Sequence, residues 1–145
     1  MALDKKIQRD VLIIDDDKGI CEILKEYCLN MGCFKNIVMA HDGIMATQKL
    51  RNQKFALILL DLTMPKKSGA DLLTEFGTES LNQKESVLIV SGTLEKDLIA
   101  KILALGVKTF LVKPFDEDTF QERVLKILNT PPPASTKPSK LLKTS

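Results

Sequence analysis

The sequence predicts an α/β fold, a parallel sheet of five strands wound with helices on both faces. Three observations predict it. Five short runs rich in Val, Ile and Leu recur at residues 11–14, 37–39, 56–60, 87–90 and 109–112, the length and composition of strands buried on both faces. Segments of helical period lie between them. Polar residues able to do chemistry then follow the first, third, fourth and fifth runs directly. Alternation of this kind implies βα units joined by right-handed crossovers.

The elements follow in order. The first run, VLII, meets Asp15, Asp16 and Asp17. Aspartate is a good helix N-cap, and Asp17 suits that position. A cap does not explain three acids, because like charges this close repel. Two of them converging on a hard divalent cation would remove the repulsion. The first helix follows, with Ile20, Ile23, Leu24, Tyr27 and Met31 at i, i+3, i+4, i+7 and i+11. Ile44, Met45 and Leu50 mark a second helix after the second strand, and Leu72, Leu73 and Phe76 a third, both less cleanly. The fourth helix spans about residues 95–105. Its stripe is Leu98, Ile102 and Leu105, and Ile99 and Leu103 lie one turn apart on an adjacent face. The fifth carries Phe120, Val124, Ile127 and Leu128, with acids at 116–118 in its first turn, where the helix dipole favours them.

Composition bounds the function. The 145 residues are 44% hydrophobic and 28% charged, which fits one globular domain with a real core. The net charge of +2 is misleading. Residues 131–145 hold Lys137, Lys140 and Lys143 and no acid, so setting them aside leaves 18 basic against 19 acidic side chains. No basic face announces nucleic acid, and no apolar run reaches membrane length. Cys21, Cys28 and Cys33 form no C-x-x-C pair, and a single histidine, His41, is too little for a zinc site. They read as reduced thiols in a cytoplasmic protein. The Pro-, Ser-, Thr- and Lys-rich end, 131–145, is expected to be a disordered tail or linker after a domain over 8–130.

In an open α/β sheet, ligands bind beyond the carboxyl ends of the strands. There the chain places Asp15-Asp16-Asp17, then Asp61, then Ser91-Gly92-Thr93, then Lys113-Pro114-Phe115. Asp61 can act as a nucleophile toward phosphorus and form an aspartyl phosphate. That attack brings two anions together, so it needs a cation such as Mg²⁺ held by the acids. Lys113 adds a second positive charge, its turn set by Pro114. Ser91 can donate a hydrogen bond to a phosphoryl oxygen.

Four pieces, VLIIDDD, LILLDLTMPKKSG, VLIVSGT and FLVKPF, together resemble the receiver domain of two-component response regulators, chemotaxis-regulator-like. The resemblance covers about residues 8–130. It implies a flavodoxin-like, doubly wound sheet with strand order 2-1-3-4-5 and five helices. It implies that Asp61 accepts a phosphoryl group, with Mg²⁺ or Mn²⁺, from a sensor histidine kinase or a phosphotransfer protein. Asp16 matches a direct metal ligand, Asp15 one acting largely through water, and the backbone carbonyl of Thr63 a third. Ser91 matches the switch hydroxyl, Lys113 the family lysine and Phe110 the switch aromatic. Phe110 stands where the family often has Tyr, so a ring hydrogen bond is lost. Leu105 and Thr109 fall where a DNA-binding branch often carries acids for a symmetric dimer, which is therefore not expected. The third acid, Asp17, is not required by the motif.

The expected function is a phosphorylatable switch that assists its own chemistry without substrate turnover. A partner surface of Lys96, Ile99, Leu103 and Phe110 would act on a downstream protein or an output domain beyond the chain. The alternative is an aspartyl-nucleophile phosphatase of the haloacid dehalogenase type. Asp61-Leu62-Thr63 lacks the second acid of that family's D-x-D-x-T/V, the group that protonates a leaving group. A P-loop is excluded, because no G-x-x-x-x-G-K-S/T occurs.

Overall fold

A computed structural model of the chain describes residues 9–64, 66–76, 80–92 and 94–129. The expected domain limits at 8 and 130, Thr93, and the tail with Leu141 and Leu142 lie outside these residues.

Five strands and five helices alternate: β1 (Asp10–Ile14), α1 (Lys18–Met31), β2 (Asn36–Ala40), α2 (Gly43–Asn52), β3 (Leu57–Leu60), α3 (Gly69–Thr74), β4 (Val87–Ser91), α4 (Lys96–Ala104), β5 (Thr109–Val112) and α5 (Glu117–Leu128). A 3₁₀ turn, Lys84–Ser86, leads into β4. All pairings are parallel and the order is β2-β1-β3-β4-β5, as expected.

The sheet separates two apolar layers, and the pleat sends alternate residues to opposite sides. Leu12, Ile14, Ile58, Leu60 and Ile89 face one layer, with Ala46 of α2, Leu72 and Leu73 of α3 and Ile102 of α4. Val11, Ile13, Leu57, Leu59, Leu88 and Val90 face the other, with Cys21, Leu24 and Cys28 of α1 and Phe120 and Val124 of α5. Each fully buried Leu, Ile or Phe contributes roughly 1.5–3 kcal/mol, which makes these layers the main source of stability.

Three helices differ from their sequence patterns. The buried face of α1 is centred on Cys21, Leu24 and Cys28, while Ile23 is exposed. The larger Ile20, Tyr27 and Met31 are partly buried and pack against the same layer. On α2, Ile44 and Met45 point outward, and Gly43, Ala46 and Thr47 are buried instead. Only Leu50 of the expected stripe reaches the core. Helix α3 stops at Thr74, so Phe76 is buried just past its end. The remaining boundaries follow local chemistry. Asp17, Asp42, Ser68 and Asp116 each accept a backbone N–H as N-caps, and Gly32 ends α1 at φ +70°.

Asn82 was not anticipated. It is 2% exposed, accepts the N–H of Phe55 at 2.7 Å, and donates to the carbonyls of Leu50 and Gln53. One amide thus ties the end of α2 and the entry to β3 to the segment before β4.

Candidate functional site

Three site residues are each the first residue past a strand, and each adds one more rung to the ladder. The N–H of Asp15 donates to Ala40 at 3.1 Å, that of Asp61 to Ile14 at 2.9 Å, and that of Lys113 to Ser91 at 3.0 Å. The sheet therefore sets their backbone positions while their side chains leave at the carboxyl edge.

Those side chains converge. Oxygens of Asp15, Asp16 and Asp61 lie within 4.8 Å of one another. Asp15 and Asp61 are buried and Asp16 is exposed. Lys113 Nζ donates to Asp15 Oδ2 at 2.8 Å and stands 3.8 Å from Asp61 Oδ1. The other oxygen of Asp15 accepts the N–H of Asp17 at 2.9 Å. Asp17 points away as the cap of α1, accepting from Gly19 and Ile20. The third acid is thus structural.

The electrostatics follow from this crowding. Burial and the charge of Asp15 push the Asp61 carboxyl from 3.8 up to about 6, against the pull of Lys113 and a hydrogen bond from the backbone N–H of Thr63. Burial alone would lower Lys113, but its hydrogen bond to Asp15 and the charges of Asp15 and Asp61 raise it, so it stays protonated. The donor set is hard oxygen, crowded and short of positive charge, and fits Mg²⁺ or Mn²⁺. A softer ion finds little here. Cys21 donates to the Asp15 carbonyl at 3.3 Å, but burial and then Asp15 push its thiol up to about 12, so it remains a neutral thiol. His41 Nδ1 lies 3.2 Å from the same carbonyl. The sequence reads Cys21 as a plain reduced thiol and His41 as too little for a zinc site, and no local pattern marks a contact to an Asp15 backbone atom.

The other expected residues are placed as follows. Ser91 ends β4, 1% exposed, paired in register with Val112. Thr63 is exposed in the segment after β3. Phe110 is half-buried and packs against the layer under α2, α3 and α4. The chain turns after Lys113 through a cis bond to Pro114. Phe115 then packs with Tyr27 and Phe120, at centroid distances of 6.1 and 6.4 Å. On α4, Leu98, Ile102 and Leu105 pack inward, Leu103 is 49% exposed, Lys96 is exposed and Ile99 is half-buried outside both core layers.

The segment from Asp61 to α3 is tightly held. Gly69 donates to the Leu62 carbonyl at 3.1 Å, and a Cβ at Gly69 would meet the Asp61 carbonyl oxygen at 2.5 Å. Only glycine permits that approach. Lys66 sits at φ +70°, a left-handed conformation costing a non-glycine residue roughly 1–2 kcal/mol, so its neighbours must hold it. Lys66 pairs with Asp42 at 3.5 Å, and Lys67 bonds Glu75 and donates to Thr47 Oγ1 at 3.1 Å.

With the geometry in place, comparison with known proteins is informative. The family profile of the response regulator receiver domain matches residues 11–125. The transcriptional regulatory protein MalR of Bacillus subtilis is 36% identical over 112 residues, 77% of this chain and 47% of MalR. CpxR of Klebsiella pneumoniae is 36% identical over 118 residues, 81% of this chain and 48% of CpxR. The chain spans about half the length of these relatives, or less. Among solved structures, a chain of the CheX–CheY–BeF₃–Mg²⁺ complex from Borrelia burgdorferi superposes at a TM-score of 0.73 with 30% identity, covering 84% of this chain and 90% of that one. A two-component response regulator from Clostridium difficile reaches 0.74 with 25% identity, over 85% of this chain and all of that one.

Proposed function

Since the chain belongs to the response regulator receiver domain family of two-component systems, we propose that it accepts a phosphoryl group on Asp61 and thereby switches a protein-binding surface. Receiver domains are in general phosphoacceptors rather than turnover enzymes. One observation carries the reading: Asp61 is a 7%-exposed carboxylate at the sheet edge, with Lys113 at 3.8 Å and the oxygens of Asp15 and Asp16 close by.

The chain's residues divide the work. An oxygen of Asp61 attacks the phosphorus of a phosphohistidine on a kinase or phosphotransfer protein. The new O–P bond forms, the P–N bond breaks, and the electron pair stays on the departing imidazole. Lys113 faces the added charge. Ser91 supplies a hydroxyl for a phosphoryl oxygen. Asp15, Asp16, Asp61 and the Thr63 carbonyl would hold Mg²⁺ or Mn²⁺. The bound metal offsets the meeting of two anions and orients the phosphoryl oxygens.

The output side is the α4–β5 face. Drawing Ser91 toward Asp61 frees space beside β5 for the Phe110 ring, and the surface of Lys96, Ile99 and Leu103 changes with it. A partner that prefers one arrangement shifts the population by no more than its differential affinity. That partner is a downstream protein or an appended output domain, with residues 8–130 as the receiver unit and 131–145 as tail or linker. A cytoplasmic site of action suits this exchange. Among the described residues, no helix is long and apolar enough to cross a membrane.

Intact mass after incubation with a small acyl phosphate tests the reading. One hydroxylamine-labile phosphoryl group is expected, dependent on Mg²⁺ or Mn²⁺ and absent in Asp61→Asn. Equal labelling of Asp61→Asn, or labelling undiminished by EDTA, would overturn it.

A further inference from the structure

We propose that Lys67 is a positioning residue for the metal site, clamping the segment that carries Asp61 and Thr63 against α2 and α3. This rests on the proposed metal reading. Four contacts meet at Lys67 and its neighbours. Its ammonium bonds both Glu75, the C-cap of α3, and the hydroxyl of Thr47 on α2. Thr47 is nine-tenths buried and in turn donates to the Gly43 carbonyl at 2.9 Å. Gly43 opens α2 directly against Lys67: a Cβ there would fall 2.3 Å from the Lys67 Cβ and 2.4 Å from its carbonyl oxygen. Lys66 is pinned alongside by Asp42, the N-cap of α2.

The clamp reaches the site through Ser68 and Gly69. Gly69 N–H holds the Leu62 carbonyl, and Gly69 packs on the Asp61 carbonyl. Two residues before Gly69, Lys67 thus anchors the return path of the chain, and the Leu62–Thr63 backbone inherits its place from that anchor. The nucleophile is thus met by one lysine through charge, Lys113 at 3.8 Å, and by another through backbone. A lysine suits the task, because its stem can lie along α2 while its ammonium joins two helices at once.

Groups that orient metal ligands from outside typically account for 10–100-fold in affinity. Acting through backbone, Lys67→Met is expected at the lower end, with a Kd for Mn²⁺ raised roughly ten-fold. The full chain is titrated with Mn²⁺, following free ion by electron paramagnetic resonance, alongside thermal melts in EDTA. Lys67→Met should weaken binding while its metal-free melt stays close to wild type, and saturating Mn²⁺ should restore the wild-type rate of Asp61 labelling. Lys67→Arg, which keeps the charge and the reach, should recover most of the affinity. If Lys67→Met does not fold, Glu75→Gln should shift Kd in the same direction. A wild-type Kd in Lys67→Met, or in Glu75→Gln where that is the variant measured, overturns the clamp. Wild-type protein that binds no Mn²⁺ overturns the metal reading beneath it.

Discussion

Without metal, Asp61 should act against the stability of the fold, and replacing it should show by how much. Its carboxyl is pushed from 3.8 in an unfolded chain to about 6 in the folded one, by burial first and Asp15 second. The folded state then binds this proton more tightly than the unfolded state. Below about pH 4 both states hold it and the site costs nothing. Between about 4 and 6 the folded state alone holds it, so stability falls as pH rises; above about 6 the full cost is reached. A shift of about two units corresponds to roughly 3 kcal/mol, at ~1.36 kcal/mol per unit. Asp61→Asn keeps the shape and an acceptor for the Thr63 N–H but removes the charge. It should therefore be more stable than wild type by about 2–3 kcal/mol at pH 7.5 in EDTA, and about equal near pH 4. For a domain of this size that is a rise in Tm of about 6–15 °C. Thermal melts of both proteins across this pH range, without metal, are the assay. Adding Mg²⁺ should raise the wild-type Tm, because a ligand that binds only the folded state stabilises it, and should barely move the variant. A variant no more stable than wild type at pH 7.5, or a gain that does not change with pH, would refute the electrostatic account.

Asp16→Asn should weaken Mn²⁺ binding yet leave metal-free stability within about 0.5 kcal/mol, since Asp16 is exposed; a large loss of Tm in EDTA would show a structural role instead. Asn82→Ala leaves the buried Phe55 N–H without its acceptor and should cost about 2–3 kcal/mol in urea unfolding, whereas a change under about 0.5 kcal/mol would mean water replaces the amide. On α4, Ile102→Ala should cost about 2–5 kcal/mol and Leu103→Ala less than about 0.5, with Asp61 labelling unchanged in Leu103→Ala and partner capture reduced. Equal destabilisation by the two would place Leu103 in the core.

The strands and their polar exits were legible because both signals are local. A run such as VLII needs no partner to be recognised, and the residue that ends it is the next letter. Topology then carries Asp15, Asp61 and Lys113 to one edge with little further information. The stripe of α2 misled for the opposite reason. Ile44 and Met45 look like core residues, but α2 opens with Gly43 pressed on Lys67, and its inner face falls on Gly43, Ala46 and Thr47, with Leu50 reaching the core further along. On α1 the inner positions fall to Cys21, Leu24 and Cys28 rather than to Ile23. Asn82 was invisible because its partners lie 27 to 32 positions away and its meaning exists only once the chain is folded. Lys67 was invisible for the same reason, since its partners Thr47 and Glu75 meet it only in the folded chain.

The sheet that divides the interior into two apolar layers also divides what the lineage can change. A regulator answers to a donor of phosphoryl groups and to a recipient of the message, and these two relationships need not alter together. Phe110, Leu98 and Ile102 share one layer, while Tyr27, Phe115 and Phe120 share the other. A substitution on either side is met first by neighbours on that side, because close-packed interiors pass strain to whatever they touch. Five strands of paired backbone stand between the two, and their hydrogen bonds do not depend on which apolar side chain projects from which face. One layer can therefore be repacked while the opposite layer keeps its shape, and the acids at the common edge remain in place through either change.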